Sequence, residues 1–172
     1  MGKVIKIGLN TKDLNRAIKE VEKYKQDFLR KVETFRKRLA DELKNDAQAG
    51  FNGAIINDLT SGGGRKPEVT VEVKGRGNIL VVIADGKDAI WCEFGAGVYH
   101  NGSVGSSPHP KGVELGYTIG SYGKGYGKGK AWGYYEDGEL KITRGTPASM
   151  PMYNAMKSVI AKAETIAREV WK

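Results

Sequence analysis

The sequence of 172 residues contains few of the side chains that build disulfides, metal centres and membrane spans. Cys92 is its single cysteine, and His100 and His109 are its two histidines. One cysteine excludes an internal disulfide, and the spacing of these three residues is not typical of a zinc site. No apolar run approaches the roughly 18 residues of a transmembrane helix, and residues 1–10 contain no hydrophobic signal-peptide core. These absences favour a cytosolic, soluble protein without a metal or a cofactor.

Catalytic motifs are also missing from the sequence. The serines near the two histidines lie in a glycine-rich segment, with no motif that would supply an orienting carboxylate, and the chain has no nucleophile elbow. In segment 123–130 each Gly-Lys pair is followed by glycine or alanine, whereas a phosphate-binding loop requires serine or threonine there. We therefore expect no catalytic residues and a non-enzymatic protein.

Hydrophobic periodicity predicts a long helix over residues 11–57. From Leu14 to Ala47 the apolar residues recur at steps of three or four, which is typical of an amphipathic helix. About 35 residues at roughly 1.5 Å each extend on the order of 50 Å, more than the width of a compact domain of this size. We therefore expect part of this helix to pack on another copy of the chain. Its interleaved acidic and basic residues favour a solvated outer face over a stripe that tracks DNA.

The other segments predict a small antiparallel sheet and a second helix. Alternating valines followed by an apolar run predict one hairpin, and Asp137-Gly138 between aromatic and β-branched runs predicts another. We assign the chain to one α+β domain in which two long helices pack on a small antiparallel sheet. Its predicted segments are an extended arm (1–10), the long helix (11–57), a hairpin with a Glu-Phe-Gly element (67–97), a flexible Gly/Tyr/Lys loop (98–131), a second hairpin (132–145) and a C-terminal helix (151–171).

An apolar run in the middle of the chain contains one carboxylate, that of Glu93. Its neighbours are Trp91, Cys92 and Phe94, and a carboxylate is costly to bury without a partner. We expect Glu93 to accept backbone N–H hydrogen bonds or to pair with a basic residue such as Arg144. The run itself is predicted to be a short helix or a third strand. We interpret Glu93 as an anchor for the turn that follows, with Trp91 and Phe94 fixing the sheet to the helices.

Glycines follow this run, and prolines precede the last helix. Gly95 and Gly97 permit a tight turn, including the left-handed conformation that other residues resist. Pro147 and Pro151 separate the second hairpin from the last helix. Proline is preorganised for the first turn of a helix, which favours Pro151 at that position, and Ser149 is a candidate cap.

The glycine-rich loop is a flexible basic segment in a chain with a net charge of +8. A basic excess favours an acidic partner. Lys124, Tyr126, Lys128 and Lys130 form a candidate DNA-facing loop, because lysines contact phosphates and tyrosines stack on bases. We interpret the segment as a loop that orders on assembly. The alternative is a nucleic-acid-binding module that uses this basic Gly/Tyr-rich loop.

These motifs in this order resemble the HK-ninety-seven-type minor tail-component family of long-tailed phages, which includes tail-completion and head–tail joining proteins. Two positions depart from the family pattern: Met152 stands where phenylalanine is common, and Ala96 stands where threonine is more usual. The residues that carry the resemblance are Trp91, Glu93, Phe94, Gly95 and Gly97 in a first block, and Trp132, Tyr134, Tyr135, Asp137, Gly138, Thr143, Arg144, Gly145, Pro147, Ala148 and Pro151 in a second.

The resemblance implies a non-enzymatic virion-assembly protein that works as a ring-like homo-oligomer at the junction between capsid and tail. It implies connector, neck or tail proteins of the phage as partners, with non-specific contact to DNA and no membrane. The protein would occupy the host cytoplasm during assembly and then the neck or tail of the virion. Physical reasoning agrees in two places: the long helix needs a partner copy, and the basic loop suits a DNA-filled channel.

Overall fold

The computed structural model describes residues 8, 10–60, 62–96, 107–112, 114–115 and 131–172 of the chain, with the backbone alone for Trp132. Its helices and strands confirm the predicted α+β class. None of the helices described is long and apolar enough to cross a membrane. In chain order the elements are α1 (Thr11–Gly53), β1 (Thr70–Arg76), β2 (Ile79–Asp85), α2 (Ala89–Phe94), β3 (Trp132–Glu136), β4 (Glu139–Thr143) and α3 (Pro151–Val170).

Helix α1 begins where Asn10 supplies a cap. The side-chain oxygen of Asn10 accepts a hydrogen bond from the backbone N–H of Asp13 at 2.9 Å, which satisfies one of the donors that a helix start leaves unpaired. The helix ends at Gly53, so the prediction that it continues to residue 57 is wrong. The reason is that the backbone N–H and C=O of Ile56 both bond to Arg65, each at 2.9 Å, and are therefore lost to the helix.

Both predicted hairpins are present, and they form two separate two-stranded sheets. Strands β1 and β2 pair antiparallel, as do β3 and β4. The first turn has Gly77 at φ 60°, and the second has Asp137 at φ 52° and Gly138 at φ 82°. Two positive φ angles at Asp-Gly define a type I′ turn, whose twist matches that of the strands it joins. The second turn is therefore set by these two residues.

The chain divides into two compact units, Met1–Leu39 with Ala163–Lys172, and Ala40–Lys162. We call them the first and the second unit. In the first unit, α1 packs on the end of α3 through aromatic rings: the Trp171 ring lies 5.4 Å from that of Phe35 and 6.5 Å from that of Phe28. An ion pair of 2.6 Å between Arg38 and Glu169 flanks these rings.

The second unit has a hydrophobic core to which both long helices contribute. Ala47 and Phe51 of α1 lie in it together with Val71 of β1, Cys92 of α2 and Ala155 of α3. Cys92 is fully buried, with 0% of its surface exposed. Because Cys92 precedes Glu93 in the chain, the packing of α2 in this core fixes the position of the Glu93 carboxylate.

Candidate functional site

Helix α2 is the element that presents Glu93, and Asp88 holds its start. The Asp88 carboxylate accepts hydrogen bonds from Arg65 Nη1 at 2.6 Å, from Arg65 Nη2 at 2.9 Å and from the Glu68 backbone N–H at 2.8 Å. The Asp88 carbonyl accepts the Cys92 N–H at 3.0 Å. Asp88 is 2% exposed, and the bidentate guanidinium compensates its buried charge. The same contact raises the pKa of Arg65.

The Glu93 carboxylate caps the N-terminus of α3, although α2 and α3 are far apart in sequence. Its Oε2 accepts the Met152 N–H at 2.8 Å, and its Oε1 accepts the Tyr153 N–H at 2.9 Å. These are two of the donors that a helix start leaves without intrahelical partners. The positive end of the helix dipole also favours a carboxylate there. Glu93 is therefore stabilised as a buried carboxylate by the helix that it caps.

His109 is the third partner of the Glu93 carboxylate, with Nε2 3.1 Å from Oε1. The Lys111 backbone N–H donates to Nδ1 at 3.1 Å, which assigns the proton of the neutral ring to Nε2 and makes Nε2 the donor to Glu93. The ring packs 4.5 Å from that of Phe94 and 5.2 Å from that of Tyr153. His109 therefore attaches its own segment of chain to both α2 and α3.

The segment around His109 is also bonded through its backbone neighbours. The Ser107 hydroxyl donates to the Phe94 carbonyl and accepts the His109 N–H at 3.1 Å. Gly112 closes the turn by donating its N–H to the His109 carbonyl at 2.8 Å. Residues 107–112 therefore dock on the end of α2, within the stretch 98–131 that the sequence predicts to be a flexible loop.

The backbone entering α3 is bound to α2 through a single carbonyl. The Cys92 carbonyl accepts the N–H groups of Ser149 at 2.9 Å and Met150 at 3.1 Å, and the Ser149 hydroxyl at 3.1 Å. Met150 has φ 53°, a left-handed conformation that is uncommon for a residue with a side chain and costs on the order of 1 kcal/mol. The predicted cap at Ser149 is wrong, because its hydroxyl bonds to Cys92 and the carboxylate of Glu93 caps α3 instead.

The turn after α2 pairs with the linker before α3. Gly95 ends α2 with φ 77° and ψ 166°, an extended conformation with a positive φ that glycine adopts readily. Ala96 and Thr146 exchange backbone N–H···O=C bonds of 2.8 Å each. Asn57 fixes the same linker from the other side: its N–H donates to the Thr146 hydroxyl at 3.2 Å and its Oδ1 accepts the Arg144 N–H at 2.9 Å. Four chain segments meet here, and we call them together the Glu93 junction (residues 57, 91–96, 107–111 and 144–153).

Gly50 brings α1 close to this junction. A Cβ atom at Gly50 would lie 2.8 Å from Pro151 Cβ and 3.2 Å from Pro151 Cα. Side-chain carbons essentially never approach that closely, so only glycine permits this contact between α1 and the first turn of α3. Pro151 is the first residue of α3, which is the position that the sequence analysis predicts for it.

The groups of the Glu93 junction are committed to hydrogen bonds that hold chain segments together. Both ring nitrogens of His109 and both oxygens of Glu93 are used in this way. Burial raises the pKa of the Cys92 thiol to about 11, with a further contribution from Asp88, so its reactive thiolate is scarce at neutral pH. Within the described ranges there is no group of three or more His, Cys, Asp or Glu residues that could hold a metal ion. These hydrogen bonds link α2, the start of α3 and the segment around His109 to one another.

The structure brings together most of the motif residues singled out in the sequence. Trp91 packs against the core of the second unit, and Phe94 packs on His109. Gly145 is buried at φ 93°, and Pro147 lies exposed in the linker before α3. The side-chain partner of Glu93 is His109, so the suggested pairing with Arg144 is wrong. Outside the described residues lie Gly97 of the first motif and Lys124, Tyr126, Lys128 and Lys130 of the candidate DNA-facing loop.

Sequence reasoning missed His109 and Asn57 in this junction, and Gly50 beside it. One signal for His109 was present, since Pro108 and Pro110 flank it and are two of only five prolines in the chain. Prolines restrict the backbone and argue against a wholly flexible segment. Asn57 and Gly50 carry no comparable local signal.

Comparisons of the chain with protein-family models, with curated proteins and with solved structures found no match.

Proposed function

We propose that the protein is a non-enzymatic component of a phage virion, a tail-completion or head–tail joining protein that oligomerises at the junction of capsid and tail. The single observation that carries this proposal is the order of the two motif blocks, which resembles that of the minor tail-component family. Its partners would be further copies of the chain together with connector, neck or tail proteins.

The contacts of the motif residues support a structural role for them. In the Glu93 junction, the first motif block supplies the carboxylate that caps α3, and the second block supplies the linker and the first residue of α3. Two blocks separated by a long variable stretch therefore pack as one unit. Such packing suits a family in which both motif blocks serve the fold, as the resemblance implies.

Complementation in a phage that carries this gene tests the proposal. Deleting the gene should yield filled capsids and separate tails in electron micrographs, and the protein supplied in trans should restore joined particles that contain it by mass spectrometry. A matched control supplies an unrelated basic protein of similar size. Joined, infectious particles without the protein would contradict the proposed function.

The nucleic-acid alternative rests on the net charge of +8 and on the lysines of the Gly/Tyr-rich loop. Replacing Lys124, Lys128 and Lys130 by glutamine should then weaken DNA binding. It should also make the slope of log K against log salt concentration shallower by about 2 to 3, because each lysine that contacts a phosphate contributes about one unit. The control replaces Lys23, Arg30 and Lys37 of α1 in the same way. DNA binding that is absent at low salt would exclude this alternative.

A further inference from the structure

Strand β2 of the second unit has an open outer edge. Val71, which stands opposite Ala84 in the hairpin, donates its backbone N–H to Gln48 Oε1 at 2.8 Å, so this pair is not joined by backbone hydrogen bonds. Bonded and non-bonded pairs alternate along antiparallel strands, and the backbone groups of Leu80, Val82 and Ala84 therefore point away from β1. Among the described residues, none outside β1 makes a hydrogen bond to β2.

This edge lacks the features that keep an edge strand from pairing. Residues 79–84 include no charge, proline or glycine, whereas edge strands are usually blunted by charges, by prolines or by cover from another element. On the face of the hairpin turned away from the core, Ile79 is 62% and Val81 is 37% exposed, and Ile83 is half-buried. Strand β2 therefore offers main-chain donors and acceptors, with an apolar row beside them, to a further strand.

The sequence of the N-terminal arm (residues 1–10) matches this edge in length and in pattern. Apart from Gly8 and Asn10, the arm lies outside the described residues. Residues 3–9 are seven in number, as are those of β2, and in a strand alternate residues share one face. The residues that would share the apolar face of this strand are Lys3, Ile5, Ile7 and Leu9.

One antiparallel register fits the two strands at every position of the outward face. We call it the arm register, and its outward pairs are Lys3–Asp85, Ile5–Ile83, Ile7–Val81 and Leu9–Ile79. Asp85 forms no ion pair within the part of the chain that the structure describes, and the nearby Lys74 pairs with Glu72. Opposite charges on facing residues of neighbouring strands stabilise their pairing. The arm register therefore joins three apolar pairs and one pair of opposite charges.

Other registers fit less well. A shift of one residue turns the apolar row of the arm to the opposite face. A shift of two residues in one direction sets Lys3 against Ile83. A shift in the other direction sets Ile5 against Asp85, and a parallel strand sets Leu9 against the same carboxylate. Apolar packing and charge therefore favour the same register and the same orientation.

The arm register also uses the open backbone groups of β2. It pairs them with the arm as Leu80–Gly8, Val82–Lys6 and Ala84–Val4. Each of these pairs exchanges both N–H···O=C bonds, so the edge is covered along its length. Lys6 then lies on the outermost strand, where its stem can cover apolar surface while its ammonium reaches water. A charge at this place protects the new edge from a further strand.

We propose that β2 accepts the N-terminal arm of a second copy of this chain as a third, antiparallel strand. Arm and edge are different surfaces, so the contact is heterologous and can pass from copy to copy around a ring, whereas pairing of β2 with β2 would close at a dimer. The contact does not involve α1, the helix from which the sequence predicts packing between copies. The choice of a second copy rests on the proposed function, which requires contacts between copies.

Disulfide trapping in mixtures of two variants tests the pairing and its register. Ile7→Cys and Val81→Cys form a non-bonded pair with Cα atoms about 4.5 Å apart, a separation that a disulfide spans. Mild oxidation of this mixture should give linked pairs of chains on a non-reducing gel. The matched control mixes Ile7→Cys with Ile79→Cys, which lies two residues along β2, and should give at least about 10-fold less linked product. The native thiol of Cys92 is buried and does not compete.

Light scattering after gel filtration tests the association of copies. The wild-type chain should have a mass that is a multiple of 18.8 kDa. Ile7→Glu should raise the dissociation constant at least about 10-fold, because it sets a carboxylate against Val81. The matched control is Asn15→Glu, which makes the same change of charge at an exposed position of α1 and should keep the wild-type mass. Circular dichroism checks that both variants keep the helix content of the wild type.

A monomeric wild-type chain, or association that Ile7→Glu leaves unchanged, would overturn the proposal. So would a mixture that links Ile7→Cys to Ile79→Cys in preference to Val81→Cys. A double variant with Ile7→Cys and Val81→Cys on one chain that forms only an internal disulfide would also overturn it, because the arm would then pair within its own chain. A ring built through the arm by a protein that is absent from purified virions would support this inference and refute the proposed function.

Discussion

Replacing Glu93 by glutamine should destabilise the protein strongly, although the two side chains have the same size and shape. Glu93 is 7% exposed, and its carboxylate uses Oε1 for Tyr153 and His109 and Oε2 for Met152. A glutamine has one oxygen to offer in place of two. Its best placement keeps the two contacts of Oε1, and its NH₂ group then faces the Met152 N–H.

The magnitude follows from the two interactions that this change removes. A buried backbone donor left facing another donor costs about 1–3 kcal/mol. Removing a negative charge from the N-terminus of a helix costs roughly 0.5–2 kcal/mol. Together these effects predict a loss of about 2–4 kcal/mol in the free energy of unfolding, which would make Glu93→Gln one of the more damaging single changes in the chain.

Urea denaturation followed by circular dichroism measures this loss. With a slope of about 2 kcal/mol per molar urea, the midpoint should fall by roughly 1–2 M. The control is Glu164→Gln, which removes an exposed carboxylate paired with Arg168 on the same helix and should cost about 0.5 kcal/mol or less. A Glu93→Gln midpoint equal to that of the control would refute the role of Glu93 as a buried cap.

Three further predictions concern neighbouring positions. Gly50→Ala should lower the free energy of unfolding in urea by about 1–3 kcal/mol, because the new Cβ would lie 2.8 Å from Pro151 Cβ. The control is Gly53→Ala, whose Cβ would meet open space and which should be neutral or stabilising. Equal shifts for the two variants would refute the steric argument. The Cys92 thiol, with its pKa raised to about 11, should react at about pH 8 at least roughly 100-fold more slowly in the native than in the unfolded chain, and similar rates would contradict its burial. Since this pKa is raised on folding, the stability that Cys92 contributes should be lost as pH rises from about 8.5 toward 11, and Cys92→Ala should flatten that decline. Asp88→Asn should cost about 2–4 kcal/mol by the same assay, because it removes the 2.6 Å ion pair of the partly buried Arg65 guanidinium and leaves it the longer contact of 3.6 Å to Glu136. A cost below about 0.5 kcal/mol would show that the pair is dispensable.

Local sequence patterns predicted the two long helices and both hairpins of this protein. The step of three or four between apolar residues predicts α1 and α3, because helical periodicity is a property of neighbouring residues. Asp137-Gly138 predicts the second hairpin, since both residues tolerate the positive φ angles that its turn needs. The end of α1 was the exception, because it depends on the bridge between Ile56 and Arg65.

The candidate site was predicted only in part. The sequence marks Glu93 as a carboxylate in need of partners, and Gly95 as a position for a left-handed turn, because both arguments concern the residue itself. It did not identify His109 as a partner, and it suggested Arg144 in its place. A choice among distant polar groups depends on where the chain brings them, and composition and spacing do not contain that information.

The sequence by itself predicted the two long helices and the Asp-Gly turn, and it marked the single residue in an apolar run that would need compensation. Only the tertiary structure decided how that need is met: Glu93 caps a helix that begins 58 residues further along the chain, as the numbering of Glu93 and Pro151 gives. The physical reason is that a helix start exposes N–H donors in any sequence. Which carboxylate reaches those donors is decided by the packing of α2 against the core of the second unit.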